Sequence, residues 1–237
     1  MKIFPAIDLK NGEVVRLVEG DYNNKKTYFT NPMEVLDFFI ESGGENLHIV
    51  DLDGASEGKT FNFKTIEKII KKCDLFTQVG GGIRSEETIK KYLDVGVGRA
   101  ILGTIAVENL DFLEKMINKY KKNIAVSVDA RDRMIAIRGW KEIKKEDSID
   151  FCKKLDDMGI ETIIYTDISK DGKLSGTNLN IYKELKNKVS CNIIASGGIT
   201  YEEEIIKLKE MNIDGAIVGK AIYEKKIDLK KIINISK

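Results

Sequence analysis

The sequence predicts an α/β protein, a single (β/α)8 TIM barrel carrying a two-fold half-barrel internal repeat. Three observations predict it. Eight short β-branched runs alternate strictly with eight longer amphipathic ones, the pattern of parallel strands joined by helices. Eight such units fit within 237 residues, a usual span for a closed barrel. The strand ends also repeat: Gly81-Gly82-Ile83-Arg84 matches Gly197-Gly198-Ile199-Thr200, Leu102-Gly103-Thr104 matches Val218-Gly219-Lys220, and Asp51 matches Asp167, all at an offset of 116 residues. Asp8 and Asp129 match at 121, consistent with a few residues inserted in the second half. A doubly wound open sheet would hold the same elements but gives no reason for the repeat.

In chain order the predicted strands are Ile3–Ile7, Leu47–Asp51, Leu75–Val79, Arg99–Leu102, Ile124–Val128, Thr162–Thr166, Asn192–Ala195 and Ala216–Val218. Each is an apolar run that stops at an acid, a glycine or a small polar residue. The predicted helices are Pro32–Glu41, Phe63–Lys72, Ser85–Asp94, Leu110–Lys119, Ser148–Met158, Leu179–Lys186, Tyr201–Met211 and Leu229–Ile235. Two connections, roughly Leu9–Asn31 and Ala130–Asp147, exceed the usual few residues, as binding loops and lids do. Each contains a short alternating piece, Glu13–Val18 and Met134–Gly139, read as a small hairpin. Only Pro5 and Pro32 occur, and no Ser/Gly-rich linker interrupts the pattern. One domain over residues 1–237 is expected, with halves of about 1–120 and 121–237.

Composition excludes several classes. With 39 Lys+Arg against 38 Asp+Glu the net charge is +1, so a basic nucleic-acid surface is not expected. Cys73, Cys152 and Cys191 are widely spaced and His48 is the only histidine, so no Cys/His metal site is expected; three buried thiols of a reducing compartment fit better. The start, MKIFPAIDLKNG, carries an acid at position 8 and does not read as a signal peptide. No apolar run approaches the roughly 20 residues of a membrane span. A cytoplasmic protein without membrane contact is expected.

In (β/α)8 enzymes the site lies at the C-terminal ends of the strands. Reading off those ends gives Asp8, Asp51, Gly80–Gly82, Gly103-Thr104, Asp129, Thr166-Asp167, Gly197-Gly198 and Gly219-Lys220. Glycine lets backbone N–H groups approach a ligand closely, and a following helix start favours an anion. Gly197-Gly198 with Gly219-Lys220 occupies the place where barrels commonly hold a phosphate; Gly81-Gly82 with Gly103-Thr104 would hold a second across the mouth. Mere strand termination is the plainer reading of these glycines, but four matched turns favour a ligand with a phosphate at each end. Arg16 and Arg84 are placed to add charge to the nearer phosphate or to form surface ion pairs. Asp8 and Asp129, one from each half, are candidates to divide acid and base work, against a role in capping loops. Thr166 either orients an acid or substrate or caps. His48 lies inside the second strand, where a satisfied structural histidine is the ordinary outcome. Trp140, in the Arg138-Gly139-Trp140 segment, either covers a planar ligand group or packs on its own loop. Asp171-Gly172 and Gly176 lie on the loop after the sixth strand and read as a mobile turn that meets the ligand through its glycines.

The stretches PAIDLKNGEVVRL, HIVDLDGA, VGGGIR, SVDAR, RGW, TDISKDG, ASGGI and VGKAIY, in this order from Lys2 to about Tyr223, resemble a known family: the phosphoribosylformimino-5-aminoimidazole carboxamide ribotide isomerases of the HisA/HisF family of histidine biosynthesis. The resemblance implies an aldose–ketose isomerase that performs an Amadori rearrangement on an aminoaldose ribotide with a phosphate at each end. It implies Asp8 as general base, Asp129 as general acid and Thr166 as an assisting residue, with no metal or organic cofactor. A small-molecule substrate and a monomer are expected.

The sister cyclase subunit of imidazole-glycerol-phosphate synthase shares the repeat and both aspartates, but it usually opens with a Cys-Leu-Asp-Val strand where this chain has Ala6-Ile7-Asp8-Leu9. A bifunctional isomerase that also accepts phosphoribosylanthranilate is a further alternative. A non-catalytic phosphate sensor on the same barrel would be expected to lack one carboxylate, and both are present.

Overall fold

Strands buried on both faces read as nearly continuous apolar runs, and successive side chains point to opposite faces. Ile3–Leu9 is such a run. In the computed structural model, which describes residues 1–18 and 21–237, it forms the centre of β1 (Lys2–Lys10). The further strands are β2 (Glu13–Val18), β3 (Asp21–Phe29), β4 (Asn46–Asp51), β5 (Phe76–Gly80), β6 (Arg99–Leu102), β7 (Ile124–Arg131), β8 (Met134–Ile137), β9 (Glu142–Asp147), β10 (Thr162–Asp167), β11 (Asn192–Ser196) and β12 (Gly215–Val218).

Eight of these run parallel in the order β1-β4-β5-β6-β7-β10-β11-β12. The sheet closes where β12 pairs with β1, Lys2 opposite Gly215 and Pro5 opposite Val218. The molecule is therefore a closed (β/α)8 barrel. Its helices are α1 (Pro32–Glu41), α2 (Leu52–Glu57), α3 (Phe63–Lys72), α4 (Glu86–Asp94), α5 (Thr104–Glu108), α6 (Leu110–Tyr120), α7 (Ser148–Asp157), α8 (Leu179–Lys188), α9 (Glu202–Glu210), α10 (Lys220–Tyr223) and α11 (Leu229–Ser236). All eight predicted strands and eight predicted helices are found, with ends shifted by a few residues. Three short helices, α2, α5 and α10, were not expected; they directly follow β4, β6 and β12 at the site end.

Strand parity divides the core in two. Phe4, Ala6, Ile101, Ala125, Ile164, Ile194 and Ile217 fill the barrel interior. Ile3, Ile7, Leu9, Leu47, Ile49 and their like face outward under the helices, each fully buried branched side chain contributing about 1.5–3 kcal/mol. Helix starts are set by short polar caps: Asn31, Ser85, Asn109, Asp147, Asn178 and Asp228 each accept a backbone N–H from the first turn, as caps do.

Both long connections contain antiparallel extensions. β1 runs on past Asp8 because β2 pairs back on it, Asp8 opposite Val15; β7 runs on past Asp129 because β8 does the same, Asp129 opposite Ala136. Both hairpins turn through two residues of positive φ, Asn11-Gly12 (51° and 79°) and Asp132-Arg133 (49° and 68°), the geometry that suits strand twist. Asp8 and Asp129 are thus held inside hairpins, two residues before the strands end. Glu19 and Gly20, within the first connection, lie outside the described residues.

Candidate active site

The barrel mouth encloses a cavity of about 250 Å³. Inward parity brings Asp8 (β1), His48 and Val50 (β4), Ser127 and Asp129 (β7), Ile164 and Thr166 (β10) to its floor and walls. Asp8 is buried and ion-paired with the Arg16 guanidinium on β2. Burial opposes the charge on Arg16, but Asp8 and Asp171 outweigh it and hold the guanidinium firmly protonated. Arg16 lies against Gly219, where any Cβ would overlap the guanidinium.

Asp129 accepts two hydrogen bonds, from Ser127 Oγ at 2.8 Å and from Trp140 Nε1 at 2.8 Å. Thr166 lies beside it as its direct register partner across β7 and β10. Trp140 is delivered by three successive residues of positive φ, Arg138 (55°), Gly139 (64°) and Trp140 (67°); for the two bulky ones this is a costly conformation. The turn is pinned by Arg138 N donating to Thr104 Oγ1 at 2.8 Å and by the Arg138 guanidinium meeting Glu108 at 2.9 Å.

The glycine turns lie on opposite sides of the cavity. Gly81, Gly82, Gly103 and Thr104 line one side, Gly197, Gly198, Gly219 and Lys220 the other. Gly81 (φ 101°) and Gly82 (74°) mirror Gly197 (94°) and Gly198 (79°). A Cβ on Gly81 would overlap the Asp51 carbonyl, and one on Gly197 the Asp167 carbonyl. Only glycine permits both the left-handed backbone and this approach. Lys220 Nζ donates to the Gly172 carbonyl at 2.6 Å, drawing the loop after β10 over the mouth. Arg84 is exposed and packs its guanidinium on Gly58.

Gly176 does not reach the cavity. It supports the second glycine turn from behind, its carbonyl set under Gly198. Asp51 and Asp167, counted among the strand-end polar groups, also point away from it. Asp51 accepts from Gly54 N (2.9 Å), Asn62 N (3.0 Å) and Asn62 Nδ2 (2.7 Å); Asp167 accepts from Ser169 N (3.0 Å) and Asn178 Nδ2 (2.8 Å). Odd parity on β4 turns Asp51 outward, where it anchors the loop behind the turn. The pair Asn62 and Asn178 repeats at the same 116-residue offset, a match that would have marked these aspartates as anchors. Asp171, read only as part of a turn, lines the cavity; burial first, then the Asp8 and Asp129 charges, raise its carboxyl against the opposing pull of Arg16. Ser127 was missed too, although it lies two residues before Asp129 and therefore on the same strand face. Among the described residues no group of three His, Cys, Asp or Glu side chains could hold a metal ion, and no helix is long and apolar enough to cross a membrane.

Fold and site together define a (β/α)8-barrel protein with two carboxylates facing one cavity between repeated glycine turns. Residues 2–228 match the family model described as Histidine biosynthesis protein, and the chain belongs to that family. It is 77% identical over 237 residues, the whole of both chains, to a protein of Brachyspira hyodysenteriae named 1-(5-phosphoribosyl)-5-((5-phosphoribosylamino)methylideneamino) imidazole-4-carboxamide isomerase. Proteins of the same name from Clostridioides difficile (48% identical, covering 98% of this chain and 96% of the relative) and Clostridium botulinum (50%, covering 99% and 97%) are also similar.

Proposed function

We propose that this chain catalyses the isomerisation for which its relatives are named, converting the aminoaldose ribotide to the aminoketose by an Amadori rearrangement. The observation that carries the reading is that Asp8 and Asp129, one from each half, face one cavity between two like glycine turns. The substrate is a small molecule with a phosphate at each end. The amides of Gly82, Gly103 and Thr104 receive one phosphate, and those of Gly198, Gly219 and Lys220 the other, with Arg84 and Arg16 adding charge at either end. The chain works as one barrel domain and as a monomer.

Substrate entry lifts Trp140 from Asp129, and the freed indole covers the planar imidazole. Asp129, in its protonated form, gives its proton to the ribose ring oxygen as the C1′–O bond breaks, leaving an iminium at C1′. Thr166 steadies the departing oxygen. Asp8 then takes the proton from C2′; the C–H electron pair forms a C1′=C2′ bond while the iminium pair returns to nitrogen. The resulting enolamine gains a proton at C1′ and loses one from the C2′ hydroxyl. C1′ is reduced as C2′ is oxidised, so the reaction requires no external redox partner.

An absorbance assay coupled to the following cyclase–glutaminase step tests this. Wild-type turnover is expected, with Asp8→Asn and Asp129→Asn each lowering kcat by about 10²–10⁴-fold or more while the ribotide still binds. Undiminished turnover in either variant overturns that residue's role; no wild-type turnover overturns the reaction.

A further inference from the structure

The two halves match at the mouth but not on the barrel floor. His48 on β4, Gln78 on β5 and Arg99 on β6 are direct register partners in adjacent strands, His48 opposite Gln78 and Gln78 opposite Arg99. At the 116-residue offset the second half carries Ile164, Ile194 and Gly215. A polar line thus runs along one side of the interior, beside the apolar Phe4–Ile217 cluster. Each of the three is at most 9% exposed, so their polar atoms turn mainly to one another, although Arg99 Nε is left without a partner.

The chemistry of the line runs in one direction. Arg99 Nη1 donates to Gln78 Oε1 at 3.1 Å, and a guanidinium has no acceptor to offer. That fixes the Gln78 amide with oxygen toward Arg99 and nitrogen toward His48. Gln78 Nε2 lies 3.0 Å from His48 Nδ1, which must therefore accept. A neutral imidazole carries one proton, so that proton is on Nε2. Burial, helped by the Arg16 charge, keeps the ring uncharged, its pKa pushed down to about 3. Among the described residues His48 Nε2 meets no hydrogen-bond partner, nor is it sealed from the cavity that the ring lines.

We propose that Gln78 and Arg99 are positioning residues that lock His48 as its Nε2–H tautomer, so that the floor presents a single neutral hydrogen-bond donor to an acceptor atom midway between the two ends of the ligand. The matched turns treat the ends alike; this donor, present in one half only, tells the ligand's two directions apart. Only the ligand's identity rests on the isomerase reading.

His48 is the single histidine, so nitrogen NMR of protein labelled with ¹⁵N-histidine reads the ring without assignment. Wild type is expected to show Nδ1 as an unprotonated and Nε2 as a protonated nitrogen; the reverse pattern overturns the proposal. Gln78→Glu keeps the Arg99 contact but offers Nδ1 an acceptor, and is expected to move the proton to Nδ1 and lower kcat/KM about 10–100-fold. Gln78→Met, which introduces no charge of its own, is expected to leave both tautomers populated. An unchanged nitrogen pattern in both variants overturns the relay. Adding the aminoaldose ribotide to wild type is expected to shift Nε2 while Nδ1 stays; a bound ribotide that leaves Nε2 unmoved overturns the donor role. A ribotide that fails to bind sinks the isomerase reading and the donor role with it, while the tautomer result still decides the relay.

Discussion

His48 also couples the barrel floor to acid stability. Its ring is uncharged in the fold and protonates only near pH 3, whereas in the unfolded chain it titrates near 6.5. Between those values the unfolded state binds one more proton, so stability falls as pH falls, by about 1.4 kcal/mol per pH unit. Asp51 and Asp171 act the other way at lower pH, because burial raises their carboxyls and the folded state takes up those protons first. His48→Gln separates the two effects. Between about pH 7.5 and 5.5 wild type should lose about 1.4 kcal/mol more than the variant, as measured by urea unfolding at the two pH values. Equal losses would mean that the ring takes up a proton in the fold.

At the scale of elements, the second glycine turn is held more firmly than its mirror. Glu204, in the first turn of α9, accepts from Thr200 N (2.8 Å) and Tyr201 N (2.9 Å), and also from Thr177 N on the loop after β10. Thr177 Oγ1 donates to the Gly197 carbonyl at 2.7 Å. At the equivalent positions the first half has Thr88 and Phe61, so its turn has no carboxylate in that place beside the Asp51–Asn62 anchor. Removing the carboxylate leaves three backbone donors without their acceptor. Glu204→Ala should cost about 1–3 kcal/mol and, on the proposed reading that this turn receives an end of the substrate rather than its reacting carbons, raise KM with little change in kcat. Urea unfolding and steady-state kinetics check the two effects. A fall in kcat at unchanged KM would detach this turn from substrate binding.

Across the whole molecule, closure ties the chain ends together. β12 pairs with β1, and the Met1 ammonium donates to the Ser236 carbonyl at 3.0 Å. No half can lose its strands without exposing the Phe4–Ile217 interior. Urea unfolding should therefore be one transition, coincident by circular dichroism and by the fluorescence of Trp140, and sedimentation should give a 26.7 kDa particle. Two separated transitions would show that the halves of about 1–120 and 121–237 act as distinct domains.

The repeat, the alternation of strands and helices, and Asp8 and Asp129 were legible in the sequence because each follows from local periodicity or from spacing along the chain. Asp51 and Asp167 show where that ends. They share the same offset and the same strand-end placement, yet parity turns them into the loops, because the last inward residue of β4 is Val50 rather than Asp51. Gly176 lies on the expected loop but behind the turn it was expected to join. Trp140 on Asp129, Arg16 against Gly219 and the His48–Gln78–Arg99 line join residues from different elements, so no local pattern contains them. Local periodicity sets which faces of a segment are apolar, and therefore the barrel. Which polar side chains meet inside it depends on strand register, decided only when the sheet closes and buried polar groups are brought within reach of one another.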